Sequence, residues 1–343
     1  MRKIGVLFGG KSGEHEVSLL SATSVIEALD REKYDVVMIG ITKSGQWKLY
    51  EGDVHNLADG SWEKTAADIE VSDLKKLADF ALPVLHGPYG EDGTIQGLFE
   101  MLDVPYAGCG VLSSALCMDK VSAKKIFERM GLPTARYKLV YAEDVKEDLE
   151  SVVKEVEAEL PYTLFVKPSN MGSSVGISKV RNTEELRAAL ALAGKYDRRI
   201  IIEEGINCRE VETGVIGNHK PEVAAVGEIV AKLDFYDYTA KYTDDAGTEL
   251  SIPAKLPAST YEEIRTLAKK AYMALDCSGF ARIDFFLDKD TGQVYINEIN
   301  TIPGFTKYSM FPLMWKEAGV SFRELVERIV DLGYERYYAK NNR

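Results

Sequence analysis

The sequence is poor in cysteine, with only Cys109, Cys117, Cys208 and Cys277, none in CxxC spacing and none beside a local histidine. That argues against a disulfide framework or a zinc site and fits a reducing cytoplasm. No apolar stretch approaches the roughly 18 residues a membrane span needs. MRKIGVLFGG opens with two basic residues and a short apolar run, but the glycines and charges that follow make a poor signal peptide. Basic charge is also in deficit: a formal net charge of -12 and a pI near 5.1 leave no global field for nucleic acid. A nucleotide needs only local donors, so that class stays open. There is no GxGxxG, so a dinucleotide site is not indicated. Internal repeats and low-complexity tracts are absent as well.

What remains is an ordinary soluble composition, 45% hydrophobic and 28% charged over 343 residues, long enough for two or three packed domains. KIGVLFGG, EVSLLSATSVIEAL and YDVVMIGIT alternate strand and helix patterns, the opening of a parallel α/β sheet. Residues 45 to 75 read as a polar surface excursion before ALPVLHG resumes the sheet. A helical run from Ser113 through Met130 ends at the GLP break. A second unit has LFVKP and GISKV bracketing a Gly/Ser-rich loop, a helix over 183 to 194 and the strand RIIIEE at 199 to 204. The third unit, from about 211, holds further strands and two late helices, and YYAKNNR reads as a frayed end. The expected division is 1–120, 121–210 and 211–343.

In the last unit, FARIDFFLDKDTGQVYINEIN reads as two strands joined by a polar turn. Strand alternation puts Ile296, Glu298 and Asn300 on one face and Tyr295, Asn297 and Ile299 on the other. Pairing symmetric about Thr291 sets Asp284 opposite Glu298 and Arg282 opposite Asn300. Facing carboxylates destabilise a ladder unless a cation lies between them. Two carboxylates and an amide oxygen make a hard set that suits Mg²⁺ shared with substrate phosphates. The alternative is a solvated edge hairpin, against which the apolar flanks argue.

LFVKPSNMGSSVGISKV ends an apolar strand on Lys167 and continues with Gly172, Ser173, Ser174 and Gly176, whose backbone can approach an anion closely. Strand, glycine loop and strand suggest a hairpin lid over phosphates, with a plain flexible turn as the alternative. Glu203 and Glu204 at a strand end, and Glu210 beyond, offer acceptors to an adenine amine or ribose hydroxyls. VLFGGKSGEHEVSLLSA places Glu14 in a glycine turn before a helix, where it could bind a cationic amine, and HGPYGEDG carries His86 in a second glycine-rich loop. DFYDYTAKYTDDAGTELSIPA, with Tyr236, Tyr238 and Tyr242, resembles a closing loop, or else an irregular aromatic strand.

Together FGGKSGEHEVSL, HGPYGEDGTIQG, ALCMDK, FVKPSNMGSSVGI, FYDYTAKY, ARIDFF and NEINTIPGFTKYSMFP, in this order, resemble the ATP-grasp superfamily and, within it, the D-alanine:D-alanine ligase family. The resemblance runs almost end to end. It implies an α/β, three-domain ATP-grasp fold with an N-terminal Rossmann-like parallel sheet and ATP between the middle and last domains. It assigns Lys120 and Lys167 to ATP phosphates under a loop containing Gly172, Ser174 and Gly176, Glu203 with Glu204 to the adenine side, and Glu210 to the ribose. Asp284, Glu298 and Asn300 become ligands of two Mg²⁺ ions, with Mn²⁺ as an alternative.

In that family's reaction the γ-phosphate passes to the carboxylate of one D-alanine, and the amine of a second attacks the acylphosphate. Arg282 and the Gly304 amide match the oxyanion donors such a step needs. The resemblance gives Glu14 the first amino group, with Ser173 and Tyr242 completing a hydrogen-bonded set, and puts His86, Lys241, Ser309 and Met310 with the substrates. It further implies peptidoglycan precursor synthesis by a cytoplasmic homodimer with no nucleic-acid or membrane partner. Depsipeptide-forming relatives that use D-lactate carry a histidine in the lid, whereas His15, His55, His86 and His219 all lie outside 234–254. GCGVLSSALCMDK looks like some D-serine ligases, so D-alanine:D-serine ligation is the alternative; HGPYGEDG and KYSMFP look like the D-alanine enzyme. A regulator that binds nucleotide without turnover is a third reading, against which the intact Arg282, Asp284, Glu298 and Asn300 argue.

Overall fold

The computed structural model describes residues 1–172, 175–230 and 249–341. Ser173, Ser174, Lys241 and Tyr242, and with them residues 234–248 of the expected aromatic lid, lie outside the described residues.

Among the described residues, fourteen strands form three sheets. The first has β1 (Arg2–Gly9), β2 (Tyr34–Ile41), β3 (Trp47–Tyr50), β4 (Ala67–Asp68) and β5 (Phe80–Pro83), in the order β4-β3-β2-β1-β5. β1 runs parallel to β2 and β5, as the βαβ pattern predicts. β3 and β4 add on antiparallel, so residues 45 to 75 are not the irregular excursion expected of them. Leu57 and Trp62 from that stretch are fully buried, and the Trp62 ring lies edge-on to Phe8 at 5.0 Å. A Cβ on Gly40 would come within 2.1 Å of that indole, so the glycine is what admits it.

The second sheet holds β6 (Tyr137–Tyr141), β7 (Leu164–Pro168), β8 (Ser178–Val180) and β9 (Arg199–Glu204), in the order β6-β9-β7-β8. Its core is its own: Val166, Ile200 and Ile202 pack with Val153 and Leu190 from the covering helices. The third sheet, wholly antiparallel, holds β10 (Cys208–Ile216), β11 (Glu222–Val230), β12 (Glu249–Ser251), β13 (Phe280–Asp288) and β14 (Val294–Asn300), in the order β12-β11-β10-β13-β14. First and third units share a core in which Val25, Leu82 and Ile4 meet Phe280, Phe305 and Phe311.

Two helical expectations change. The run from Ser113 to Met130 is two helices, Val111–Met118 and Lys120–Arg129, broken at Asp119. Asp119 has extended backbone and accepts the Ser122 N–H at 2.8 Å, so its side chain caps the second helix. The chain end is not frayed through Tyr337 to Lys340. The Phe322–Asn341 helix continues, with Tyr337 donating to Asp103 at 2.8 Å and Lys340 paired with Glu100.

Candidate active site

β13 and β14 carry the oxygen-rich cluster. Asp284 pairs with Glu298 and Arg282 with Asn300, the register set by the turn. Near the turn, however, the register slips by one, because Phe285 faces Ile296 and Asn297 is the extra residue of a bulge. This corrects the expected faces. Ile296 and Ile299 both enter the core of the third unit, while Glu298 and Asn300 line the opposite, open side. A strand can therefore keep its apolar anchors and still turn two oxygen ligands outward: the bulge re-aims everything after it.

On that side Arg282 is fixed from two directions. Its Nε donates to Asp284 Oδ1 and its second guanidinium nitrogen to Oδ2, both at 2.7 Å, and Glu212 Oε2 lies 2.9 Å from Nε. Asn300 Nδ2 donates to Asp284 Oδ2 at 2.9 Å. Glu212 was missed in the sequence, although it sits two residues beyond Glu210 on β10 and opposite Asp284. Its signal was the strand period itself.

The break at Asp119 carries Lys120 toward the same place. Lys120 N–H donates to the Ser169 carbonyl at 3.0 Å, its Nζ donates to the Met171 carbonyl at 2.9 Å, and Glu298 Oε2 lies 3.3 Å from that Nζ. One lysine thus ties the glycine loop of the second unit to the oxygen cluster of the third. The loop reaches the first unit too: a Cβ on Gly172 would meet Glu14 Oε2 at 3.5 Å. Glu14, in turn, lies so close to Gly87 that a Cβ there would be 2.7 Å from the carboxylate, and Gly87 takes a left-handed φ of +73°.

His86 is buried and uses both ring nitrogens. Nδ1 lies 2.9 Å from the Ile302 carbonyl and Nε2 3.1 Å from Ser21 Oγ, which also accepts the Phe305 N–H at 3.2 Å. The only consistent tautomer has Nδ1–H donating and Nε2 accepting from Ser21. This chain brackets Gly304. Glu91, also unforeseen, accepts the Gly87 N–H at 2.9 Å and the Ile302 N–H at 3.0 Å, and burial first, then the nearby Glu14 charge, pushes its carboxyl up to about 8. Its signal was its place in the second glycine loop. Ser309 precedes the Met310–Glu317 helix, its Oγ accepting the Thr306 N–H at 3.1 Å, and a Cβ on Gly304 would meet that oxygen at 3.2 Å.

Burial lowers the His86 pKa, only partly opposed by Glu14 and by the hydrogen bond to Ile302. A base depressed in the folded state stabilises the fold fully above its ordinary value, about 6.5, and that contribution is lost as pH falls below it. Protonation would remove the acceptor that Ser21 needs. His86→Asn is therefore expected to flatten the fall in thermal midpoint between about pH 6.5 and about pH 5, measured by scanning fluorimetry. A slope unchanged from the parent would contradict the neutral, two-bonded imidazole.

Glu14, His86, Lys120, Gly172, Glu210, Arg282, Asp284, Glu298, Asn300, Gly304, Ser309 and Met310 line one cavity of about 660 Å³. Lys167, Gly176, Glu203 and Glu204 do not. Glu204 accepts the Arg136 N–H at 2.9 Å at the end of β9. Lys167 and Glu203 are buried behind the cavity in an ion cluster with Lys124. A Cβ on Gly176, which has φ of +73°, would meet Tyr196 and Pro168 within 2.9 Å.

The donor set suits a hard cation. Among the described residues no three His, Cys, Asp or Glu side chains converge as a metal cage. Asp284, Glu298 and the Asn300 amide offer oxygen alone and leave coordination positions for phosphate and water, which is how Mg²⁺ is usually held. No helix of the described residues is long and apolar enough to cross a membrane, and all four cysteines are free thiols.

Residues 3–109 match the family model described as D-ala D-ala ligase N-terminus, and residues 126–331 match the one described as D-ala D-ala ligase C-terminus. The chain is 52% identical over 354 residues to the D-alanine-D-alanine ligase of Thermoanaerobacter sp. (strain X514), with 99% of this chain and 98% of the relative covered. Among solved structures, the D-alanine-D-alanine ligase from Coxiella burnetii aligns with a TM-score of 0.85 at 32% identity, over 100% of this chain and 98% of the other. The VanG D-Ala:D-Ser ligase from Enterococcus faecalis aligns with a TM-score of 0.88 at 40% identity, over 97% and 99%.

Proposed function

The chain belongs to the D-alanine-D-alanine ligase family and is an ATP-dependent ligase, and from that premise we propose how its residues divide the work. The activity is the joining of two D-alanines to D-alanyl-D-alanine, as a step of peptidoglycan synthesis. The observation that carries the site reading is the meeting of three units at one cavity: Glu14 from the first, Gly172 from the second, and Arg282, Asp284, Glu298 and Asn300 from the third. A reaction that consumes three molecules needs such a meeting place, because most of its rate comes from holding them in register.

In our reading the carboxylate of the first D-alanine lies at Arg282 and its ammonium at Glu14. One carboxylate oxygen attacks the γ-phosphorus of ATP, the bond to the β-phosphate oxygen breaks, and ADP leaves. The acyl carbon is now activated. The amine of the second D-alanine attacks it, giving a tetrahedral oxyanion that Arg282 and the Gly304 amide stabilise, and phosphate departs with the oxygen that began on the first D-alanine and with the proton the amine gives up. Phosphoryl transfer is chiefly positioning and charge neutralisation, so lysines and acidic ligands stand where another enzyme would keep a nucleophile. Asp284, Glu298 and Asn300 would hold two Mg²⁺ ions, which when bound neutralise phosphate charge. Lys120 and Lys167 attend the phosphates, Ser174 and Gly176 belong to the loop covering them, Glu203 and Glu204 serve the adenine side and Glu210 the ribose.

His86 and Glu91 position the Ile302–Gly304 segment by the hydrogen bonds described. Ser309 and Met310 receive the second D-alanine, whose carboxylate meets Ser309 at a helix start. Ser173, Lys241 and Tyr242 complete the lid side of the site. We divide the chain into domains at about 1–120, 121–210 and 211–343, a reading supported by sheets within 2–83 and 137–204, with the third sheet opening at Cys208, three residues before the last boundary. It works as a cytoplasmic homodimer, where ATP is supplied.

The second amino acid is D-alanine rather than D-serine. The D-Ala:D-Ser neighbour stands at 40% identity, whereas the relative from Thermoanaerobacter stands at 52%. The test is mass spectrometry of products from ATP, Mg²⁺ and D-alanine, alone and against equal D-serine or D-lactate. D-alanyl-D-alanine with one phosphate per dipeptide is expected; a preferred mixed product would sink the assignment.

A further inference from the structure

Lys124 has no part in the account so far, yet it is among the most deeply buried charges of the chain, 1% exposed. It lies on the Lys120–Arg129 helix one turn after Lys120, on the same face. Its ammonium is 2.7 Å from Glu203 Oε1 and 5.7 Å from the centre of the Tyr137 ring. The other carboxylate oxygen, Oε2, is 2.5 Å from Lys167 Nζ. A single buried carboxylate is therefore shared by two buried ammonium groups.

The contacts are close without being well directed. Neither Lys124 Nζ nor either Glu203 oxygen makes a hydrogen bond of regular angle. A buried ionic cluster is stable only when every member is well paired, and this one has a cation in excess. Burial pushes the Glu203 carboxyl up, but the Lys124 and Lys167 charges outweigh it and hold the group ionised, well below the usual carboxylate range. Lys167 also feels Glu298 and Glu210 at the cavity wall, so it stands between Glu203 behind and the cavity in front.

The two lysines differ in how they are held. Lys124 sits within a helix, under the Tyr137 ring. Lys167 is the next-to-last residue of β7, just before the Ser169–Gly176 loop. If Lys167 moved forward to a phosphate with no Lys124 present, a bare carboxylate would be left buried, which is strongly unfavourable. With Lys124 present, Glu203 keeps a counter-ion and Lys167 is free to leave.

We propose that Lys124 is a positioning residue for ATP: it is the fixed counter-ion of Glu203 that lets Lys167 pass from Glu203 to the nucleotide phosphates. The inference rests on the reading of Lys167 as a phosphate lysine. Its signature is that removing Lys124 penalises ligands with phosphates and spares those without.

Calorimetry on the full chain with ADP and with adenosine tests this without turnover. Lys124→Met is expected to weaken ADP binding by roughly tenfold or more, since Lys167 is then retained by the carboxylate it alone must neutralise. Adenosine binding should stay within about threefold, and Lys124→Arg should restore ADP most of the way. Glu203→Gln removes the charge that Lys124 holds, so adding Lys124→Met to it should cost little more; this double variant keeps the cluster's net charge, now carried by Lys167 alone. Equal losses for adenosine and ADP, or fully additive losses in the double variant, would overturn the proposal. Lys167→Ala is the control: unchanged ADP affinity there removes the premise and the inference together. A wild-type chain that made no dipeptide would defeat the functional reading while leaving the ADP and adenosine comparison decisive for Lys124.

Discussion

Replacing Arg282 with alanine is expected to lower the rate of dipeptide formation at saturating substrates by about 10²- to 10³-fold, the usual cost of losing a main oxyanion donor. The geometry behind this is specific. Asp284 takes two nitrogens of the guanidinium and Glu212 approaches Nε, so the group is locked before substrate arrives. Catalysis by fixed charge depends on that locking, because no reorganisation is then needed as the oxyanion forms. Arg282→Lys should recover only part of the loss, since an ammonium cannot reproduce the planar fork. Rapid-quench measurement of product at saturating ATP and D-alanine checks both variants. A kcat within a few-fold of wild type in Arg282→Ala, with only KM raised, would mean that the arginine merely binds substrate.

The second large effect is expected at Glu298. Two roles are open to its carboxylate on the geometry: ligand of a hard cation beside Asp284 and Asn300, or partner of Lys120, whose Nζ is 3.3 Å away. They separate on the metal axis. If Glu298 is a ligand, Glu298→Gln raises the Mg²⁺ concentration for half-maximal activity by about 10- to 100-fold, the scale seen even for outer-shell changes at metal sites. If it serves only to hold Lys120, the variant alters ATP affinity and leaves the Mg²⁺ dependence unmoved. Phosphate release measured against Mg²⁺ at fixed saturating ATP decides, and an unmoved Mg²⁺ curve would remove Glu298 from the metal set.

Much of this was legible in the sequence where local rules are strict. A polar turn between two apolar strands fixes which residues face each other, so the pairs Asp284 with Glu298 and Arg282 with Asn300 followed from symmetry about Thr291. The bulge did not follow from that symmetry. It left a trace, since Ile296 and Ile299 are both buried although three residues apart, a spacing an unbroken strand cannot bury on one face. The break between the two helices was also written locally, in an Asp that caps the Ser122 N–H, but it lay inside a run apolar enough to look continuous. Trp62 and Lys124 were not legible. Each is a lone residue whose burial depends on partners far along the chain, Phe8 and Gly40 for the indole and Glu203 for the ammonium.

Resemblance added what local rules could not: the substrates, and roles for single residues such as Glu14 and Gly304. The structure gives several of these a physical setting, with Glu14 against two glycines and Gly304 between Ile302 and Phe305, both bonded to the His86 and Ser21 chain. For Ser309 the setting is a turn whose hydroxyl already accepts the Thr306 N–H at the start of a helix.

The central claim is that the first D-alanine is activated through its own carboxylate oxygen, and oxygen bookkeeping tests it most directly. With ATP, Mg²⁺ and D-alanine labelled in both carboxylate oxygens with oxygen-18, mass spectrometry of the released phosphate should find one heavy oxygen for each dipeptide formed. Unlabelled phosphate accompanying the dipeptide would contradict the acylphosphate route, and labelled phosphate without dipeptide would contradict the assignment of the acceptor.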